Sequence, residues 1–203
     1  MTLQLAFDGF EPATSTANSK TQHKHCLLFA LKPNDASGAM AENIIRGLTA
    51  SQQLQSGFLE PSSWQLMLAR VIDAPAFPQD IADQAIEIAT GIRMPPFEIA
   101  FDRGMSLRES GNKHTVMLCA TPDDSGVMLL ARRISAALAI EGIGGRMVKS
   151  GFNPKMTIGY ATRQIPAFAL SQQFYWTARE FVLIHSLLGQ QQHAVLGKWP
   201  LLD

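Results

Sequence analysis

Two kinds of apolar periodicity divide this chain, and together they restrict its fold more than any other feature. Three segments have the 3.6-residue spacing of amphipathic helices, whereas the other apolar runs are short and strand-like. The strand-like runs tend to follow one another in pairs instead of alternating regularly with helices, which is typical of antiparallel hairpins. We therefore predict an α+β fold with three helices and seven or eight strands.

The segments can be placed along the chain with turn and capping signals at their ends. Asn34 or Asp35 precedes the first helix as a capping residue, and the sequence Leu188-Gly-Gln-Gln191 is a natural hairpin connection. Helical spacing covers residues 40–48, 81–92 and 127–138. Strands are expected over residues 26–31, 64–71, 97–102, 114–119, 154–160, 174–184 and 193–199.

The 203 residues suit a single domain preceded by a polar leader. Residues 1–22 are mostly small or polar without periodicity, so we predict a leader there and one domain over residues 23–203. Cys26 and Cys119 lie in apolar runs, which favours buried thiols over a disulfide. Without a signal-like N-terminus or an uncharged run long enough to cross a membrane, we expect a cytoplasmic protein with no membrane partner.

The charges balance over the whole chain but not within its halves. The formal net charge is zero, which argues against a protein that coats DNA or RNA non-specifically, because such binding depends on displacing counterions with Lys and Arg. Residues 1–124 carry a net charge of −5, and residues 125–203 carry +5. Either this division is chance on a solvated surface or the basic half contributes a cleft for an anionic ligand.

Four stretches of the sequence match a known pattern: residues 26–33, 96–103, 152–158 and 176–201, the last of which includes His185 and His193. In these stretches the chain resembles the 2′-5′ RNA ligase-like branch of the two-histidine phosphoesterase superfamily, which also contains RNA 2′,3′-cyclic phosphodiesterases. The resemblance implies a bilobal α+β domain, with two antiparallel sheets facing a central groove and helices outside. Each lobe would offer one histidine, followed two positions later by a threonine or serine, to a phosphate in the groove.

Both signature histidines are replaced in this chain. The first signature has Gln65 at the histidine position and Met67 at the hydroxyl position, while the second has Lys155 and keeps Thr157. Residues two apart on a strand point to the same side of the sheet, so each pair would still project together into the groove. The positions are retained, but their chemistry is changed.

The replacements favour anion binding over acid–base catalysis. Glutamine does not exchange protons near neutral pH, and lysine has an ordinary pKa of about 10.4. Because a lost acid or base typically removes a factor of about 10²–10⁴ in rate, we predict a catalytically impaired protein and assign no catalytic residue. Gln65, Lys155 and Thr157 are the candidates for binding the phosphate of a nucleotide or RNA end, and we predict no metal and no cofactor.

Two other hypotheses stay open from the sequence. An active phosphoesterase or ligase would act on another nucleotide substrate and would combine Lys155 with a histidine outside the signatures: His25, His114, His185 or His193. A scaffold or binding protein would use an outer surface and leave the groove unused, with Met67 packed and Lys155 solvated. His185 and His193 flank the predicted hairpin turn, where a structural pair is expected more than a zinc site.

Overall fold

The computed structural model describes residues 25–34, 37–50, 57–108, 112–121, 125–144, 154–187 and 192–202. The helices are α1 (Gly38–Ala50), α2 (Gln79–Thr90) and α3 (Ser125–Ile140). The strands are β1 (His25–Leu31), β2 (Gln65–Ala74), β3 (Phe97–Arg108), β4 (His114–Ala120), β5 (Lys155–Ala161), β6 (Phe168–Ala178), β7 (Glu180–Leu187) and β8 (Gln192–Pro200). The predicted α+β class, with three helices and up to eight strands, is confirmed.

All eight strands form one antiparallel sheet in the order β6-β3-β4-β5-β2-β1-β7-β8. The sheet consists of two four-strand halves, β6-β3-β4-β5 and β2-β1-β7-β8. They are joined between β2 and β5 by two residue pairs, Gln65 with Thr157 and Leu66 with Met156. The resemblance implies two separate sheets, whereas here the two halves are hydrogen-bonded into one sheet. That the two halves face each other across a groove stays a prediction.

The three helices cover one face of this sheet, which we call the core face. Buried positions of α1 and α3, such as Ile44, Leu130 and Ile134, pack in one apolar cluster with Phe29, Leu66 and other strand residues. Burying an aliphatic or aromatic side chain of this size contributes about 1.5–3 kcal/mol, so this cluster dominates the stability of the fold. The opposite face, which we call the open face, carries the signature positions.

Helix α2 buries a different side from the one its isoleucines indicate. The spacing of Ile81, Ala85 and Ile88 suggests an aliphatic face, but the fully buried residues are Ala82, Ala85 and Ala89. Both isoleucines are partly buried at the margins of this alanine stripe. Small side chains let the helix approach closely, and the larger ones fill the space on either side.

The continuous strand expected over residues 174–184 is wrong. It is two strands, β6 and β7, which belong to different halves of the sheet and are separated at Arg179. Buried residues alternate through Phe174, Trp176 and Ala178 and then resume at Phe181, so the apolar pattern continues while the chain crosses between halves. The carbonyl of Arg179 accepts a hydrogen bond from the backbone N–H of Leu201 at 2.7 Å, which fixes the crossing.

The predicted hairpins are confirmed in their pairing. β3 pairs with β4, and β7 pairs with β8, both antiparallel. The connection at residues 188–191 and the leader at 1–22 lie outside the described residues. The side chain of Asn34 caps the chain entering α1, accepting a hydrogen bond from the backbone N–H of Ser37 at 3.1 Å. Among the described helices, none is long and apolar enough to span a membrane.

Candidate functional site

The two signature segments meet where the halves of the sheet join. Gln65 lies opposite Thr157, and Leu66 lies opposite Met156. Leu66 and Met156 are fully buried in the core cluster, so the alternation of side chains places Gln65 and Thr157 on the open face. Both residues are partly exposed there.

Met67 and Lys155 lie on the same face, one step further along their strands. Leu68 and Ile158 are buried in the core, which confirms the alternation of β2 and β5. Each strand therefore projects two signature positions toward the open face, as the two-residue spacing predicts. The junction brings together side chains that are about 90 residues apart in the chain.

Tight packing fixes the start of β2. Trp64, immediately before Gln65, is fully buried, and its indole N–H donates a hydrogen bond to the carbonyl of Leu59 at 3.0 Å. Its ring meets the edge of Phe174, with the ring centres 5.6 Å apart. The short 3-10 turn Pro61–Ser63 leads the chain into this anchor. Gln65 thus projects from a backbone that the core holds in place.

A row of three direct cross-strand neighbours crosses the open face beside the signatures. Arg103 of β3 lies opposite Cys119 of β4, which lies opposite Lys155 of β5. We call these residues the cation row. The next row pairs Met105 with Met117, and Met117 in turn with Thr157. Sequence reasoning missed Arg103 as a candidate because its position beside Lys155 depends on the register of β4 with both neighbours.

The electrostatics of the cation row follow from partial burial. Burial lowers the pKa of Lys155 below its ordinary value, and the neighbouring Cys119 thiolate acts in the opposite direction. Burial raises the pKa of Cys119, against the opposing effects of Lys155 and Arg103. The thiol is therefore neutral at physiological pH, and two cationic side chains approach it from the strands on either side.

An acidic residue adjoins Arg103. Asp102 Oδ1 is 3.6 Å from Arg103 Nη1, and both side chains are about 40% exposed. That oxygen is itself shielded from solvent, and among the described residues it accepts no hydrogen bond. Asp102 also acts on Cys119, raising its pKa. The open face therefore presents two cations with one carboxylate at its margin.

Two of the four histidines in the described part of the chain form a pair on the core face. His25 Nδ1 and His185 Nε2 are 2.8 Å apart in a hydrogen bond, and the rings are stacked with their centres 5.0 Å apart. The Phe77 ring meets His185 edge-on at 4.8 Å. His25 shares the side of β1 that carries the buried Leu27, so this pair faces away from Lys155. The partner of His185 is His25 and not His193, so the expected pairing across the hairpin is wrong.

The other two histidines are also remote from the signature junction. His114 is buried on the side of β4 that carries Val116 and Leu118, which is the core face. His193 is exposed on the edge strand β8, four strands from β5. Among the described residues, Lys155 therefore has no histidine as a direct cross-strand neighbour.

A small apolar cluster flanks the junction on the open face of the half formed by β2, β1, β7 and β8. It contains Cys26, Leu28, Ala30, Val182 and Ile184, with Met67 packed against it. Burial raises the pKa of Cys26 to about 12, so its thiol stays protonated and acts as a small hydrophobic group. Met67 therefore contributes packing where the signature has a hydroxyl.

The basic half contributes less to this face than its charge suggests. Arg132 and Arg133 are exposed to solvent on α3, which packs on the core face of the sheet and not on the open face. Arg146 and Lys149 lie outside the described residues. Within the described part of the chain, no three His, Cys, Asp or Glu side chains are grouped to hold a metal ion.

An eight-stranded antiparallel sheet with helices on one face, and with the two signatures meeting at its centre, defines a phosphoesterase-like fold. A solved phosphoesterase matches with a TM-score of 0.66 at 20% identity, covering 88% of this chain and 99% of its own. LigT of E. coli, complexed with 3′-AMP, matches with a TM-score of 0.65 at 19% identity, over 89% of this chain and 99% of its own.

A protein of Thermus thermophilus, TT0787, also matches, with a TM-score of 0.62 at 16% identity, covering 87% of this chain and 97% of its own. These similarities extend over nearly the whole length of each chain, and they establish the fold. No model of a protein family matches the sequence, and neither does any curated protein.

Proposed function

We propose that this chain is a member of the 2′-5′ RNA ligase-like family that has kept the phosphate-binding geometry and lost efficient catalysis. The observation that carries the proposal is the junction of β2 and β5. There Gln65 lies opposite Thr157, with Lys155 on the same face. An amide, a hydroxyl and an ammonium group are all able to donate hydrogen bonds to phosphate oxygens.

The same side chains are poor catalysts for opening a cyclic phosphate. Such a reaction needs a base that activates water and an acid that protonates the departing ribose oxygen, both near pH 7. The amide of Gln65 does neither, and Thr157 has no histidine two positions before it. The four histidines of the described residues lie on the core face or at the edge of the sheet, which favours binding over the active-enzyme hypothesis.

The ligand class follows from the fold and from the charge of the site. LigT of E. coli has been solved in complex with 3′-AMP, phosphate, ATP and NADP+, all of which carry phosphate groups. The site proposed here offers cationic and neutral donors to such a group. We therefore propose a nucleotide or an RNA end with a terminal phosphate as the ligand.

Titration calorimetry with 3′-AMP and with inorganic phosphate tests the proposal. We expect saturable binding that falls about tenfold or more in Lys155→Gln, since a charge-assisted hydrogen bond contributes about 1.5–3 kcal/mol. Lys198→Gln is the matched control, because Lys198 is exposed on the edge strand and its pairing with Glu180 is at the surface. Absence of binding by the unmodified protein, or equal loss in both variants, would overturn the proposal.

A further inference from the structure

We infer that residues 3–11 of this chain dock on the open face and compete there with an anionic ligand. The surface on which they dock is the small apolar cluster beside the signature junction, made of Cys26, Leu28, Ala30, Val182 and Ile184. The competition rests on the proposed function, whereas the docking itself does not.

The apolar cluster is buried on a face where no described helix packs. Its most exposed member, Leu28, is only 6% exposed, although the three helices lie on the core face. Strands β1 and β7 are apolar at consecutive positions: Leu27 and Phe29 of β1 belong to the core, and Leu28 between them belongs to the open-face cluster. A continuous apolar run is typical of a strand that is covered on both faces. The open side of these strands therefore needs a cover that the described helices do not supply.

One stretch of the N-terminal leader is apolar on one side. Leu3, Leu5 and Phe7 recur at every second position, in contrast to the polar residues that follow. An extended chain places alternate residues on the same side, so these three side chains form an apolar edge about 13 Å long. The cluster extends over a similar distance along β1, from Cys26 to Ala30. The edge and the cluster match in length and in apolar character.

The length of the leader allows this contact. The described part of the chain begins at His25, the first residue of β1 and the neighbour of Cys26 in the cluster. Residues 8–24 connect Phe7 to this point, and when extended they span up to about 55 Å. Strand β1 is about 20 Å long, so the segment can reach any part of the cluster. The covalent link gives the segment an effective concentration on the order of millimolar at this surface.

The charges of the segment and of the open face are opposite. Asp8 and Glu11 are the only charged side chains among residues 1–19. Met67 packs against the cluster and shares its face with Lys155, so the cluster adjoins the cation row. A segment whose apolar side chains cover the cluster brings its carboxylates toward these cations, where opposite charges attract. It thereby occupies the position of an anionic ligand.

Photocrosslinking tests the docking in the whole chain without any ligand. Phe7 is replaced by p-benzoylphenylalanine, and we expect crosslinks to Met67 and to the β1 and β7 residues of the cluster, mapped by mass spectrometry. The same group in place of Thr16, in the polar part of the leader, is the control for random encounters. Crosslinks to the helices or to a second copy of the chain overturn the inference. So does a yield at the cluster no higher from position 7 than from position 16.

Titration calorimetry with inorganic phosphate tests the competition. The double variant Leu5→Ser, Phe7→Ser removes the apolar contacts, and we expect it to bind phosphate about threefold to tenfold more tightly than the unmodified protein. The reason is that a site occupied nine-tenths of the time by its own segment binds a ligand about tenfold more weakly. The double variant Ala13→Ser, Ala17→Ser changes the polar part of the leader and is expected to leave the affinity unchanged.

The outcomes distinguish this inference from the proposed function. Crosslinks at the cluster without phosphate binding by any variant mean that the docking is right and the proposed function is wrong. Crosslinks at the cluster with equal phosphate affinities overturn the competition. Phosphate binding with crosslinks elsewhere leaves the proposed function standing and refutes the docking. Melting temperatures of all variants establish that each one is folded.

Discussion

Gln65 lies directly opposite Thr157 in the two-pair ladder that joins the halves of the sheet. Each residue belongs to a different half, so a ligand bound at this point would contact both halves of the sheet. On the proposed function, this junction keeps the geometry of a site with one signature from each side, and the replacement of both histidines changes its proton chemistry.

Restoring the signature residues is expected to create hydrolytic activity. The variant Gln65→His, Met67→Thr, Lys155→His would place two imidazoles and two hydroxyls at the junction, with Thr157 already in place. Each restored acid or base typically contributes a factor of about 10²–10⁴, so the rate with 2′,3′-cyclic AMP should rise by several orders of magnitude. Product formation followed by chromatography measures the gain.

The single variants Gln65→His and Lys155→His are the controls for this experiment. Each supplies one of the two proton-transfer groups, so we expect both to remain far below the triple variant. Rapid hydrolysis by the unmodified protein would contradict the proposed loss of catalysis. It would direct attention to Lys155 and Asp102 as proton-transfer groups on the open face.

The sequence predicts those parts of the site that depend on local geometry. The two-residue spacing of Lys155 and Thr157 places both on one face of a strand, and the structure agrees. By contrast, the position of Arg103 beside Lys155 depends on the register of three strands and on a bulge in β3. Register between distant segments is decided by packing of the whole sheet, and no local pattern records it.

The break between β6 and β7 shows the same limit in the fold. Trp176, Ala178 and Phe181 are all buried, because the strands on both sides of Arg179 contribute to one core. Apolar alternation reports that a strand is half-buried, but it does not report which neighbour the strand has. The sequence therefore predicts the class and nearly all the elements, while the strand order requires the structure.

Replacing Lys155 with an apolar residue is expected to stabilise the protein. Burial lowers the pKa of Lys155, which means that the folded state disfavours the charged form. Lys155→Met removes this cost, and because the side chain is only half-buried the gain is modest. A gain on the order of 1 kcal/mol would raise the melting temperature of a chain of this size by about 2–4 °C.

The pH dependence of this difference has a definite sign. Below the lowered pKa, Lys155 is charged in both the folded and the unfolded state, so its cost is fully present. As pH rises through that pKa toward the ordinary lysine value, the folded state releases its proton first and the unmodified protein gains stability. The advantage of Lys155→Met should therefore shrink between neutral pH and about pH 10, as measured by thermal denaturation. A constant difference across that range contradicts the account.

The histidine pair on the core face is expected to make the fold sensitive to mild acid. Burial, and then the charge of His25, lower the pKa of His185 below 6.5. At pH values well above 6.5, His185 is neutral in both the folded and the unfolded state, and protonation does not reduce the stability of the fold. As pH falls below 6.5 the unfolded state takes up the proton first, so stability declines until pH passes below the folded pKa.

Denaturant unfolding between about pH 7 and pH 5 measures this effect. The unmodified protein should lose more stability across the interval than His185→Gln, which has no imidazole to protonate at that position. Titration of the His185 ring by nuclear magnetic resonance gives the direct value, and a pKa at or above 6.5 would refute the assignment.

Two glycines, Gly57 and Gly47, are expected to respond to alanine in opposite directions. Gly57 has a φ of +86°, and a Cβ there would collide with the backbone carbonyl of Tyr160, whose own N–H donates a hydrogen bond to the Gly57 carbonyl at 2.8 Å. Gly57→Ala should destabilise the fold by about 1–3 kcal/mol.

Gly47 lies within α1, and the nearest atom to a Cβ added there would be Ser171 Oγ at 4.0 Å. Gly47→Ala should therefore stabilise the fold by about 0.5–1 kcal/mol. Chemical denaturation of both variants measures the change in the free energy of unfolding. Equal destabilisation by Gly57→Ala and Gly47→Ala would contradict the assignment of the Gly57→Ala effect to the positive φ and the close approach to Tyr160.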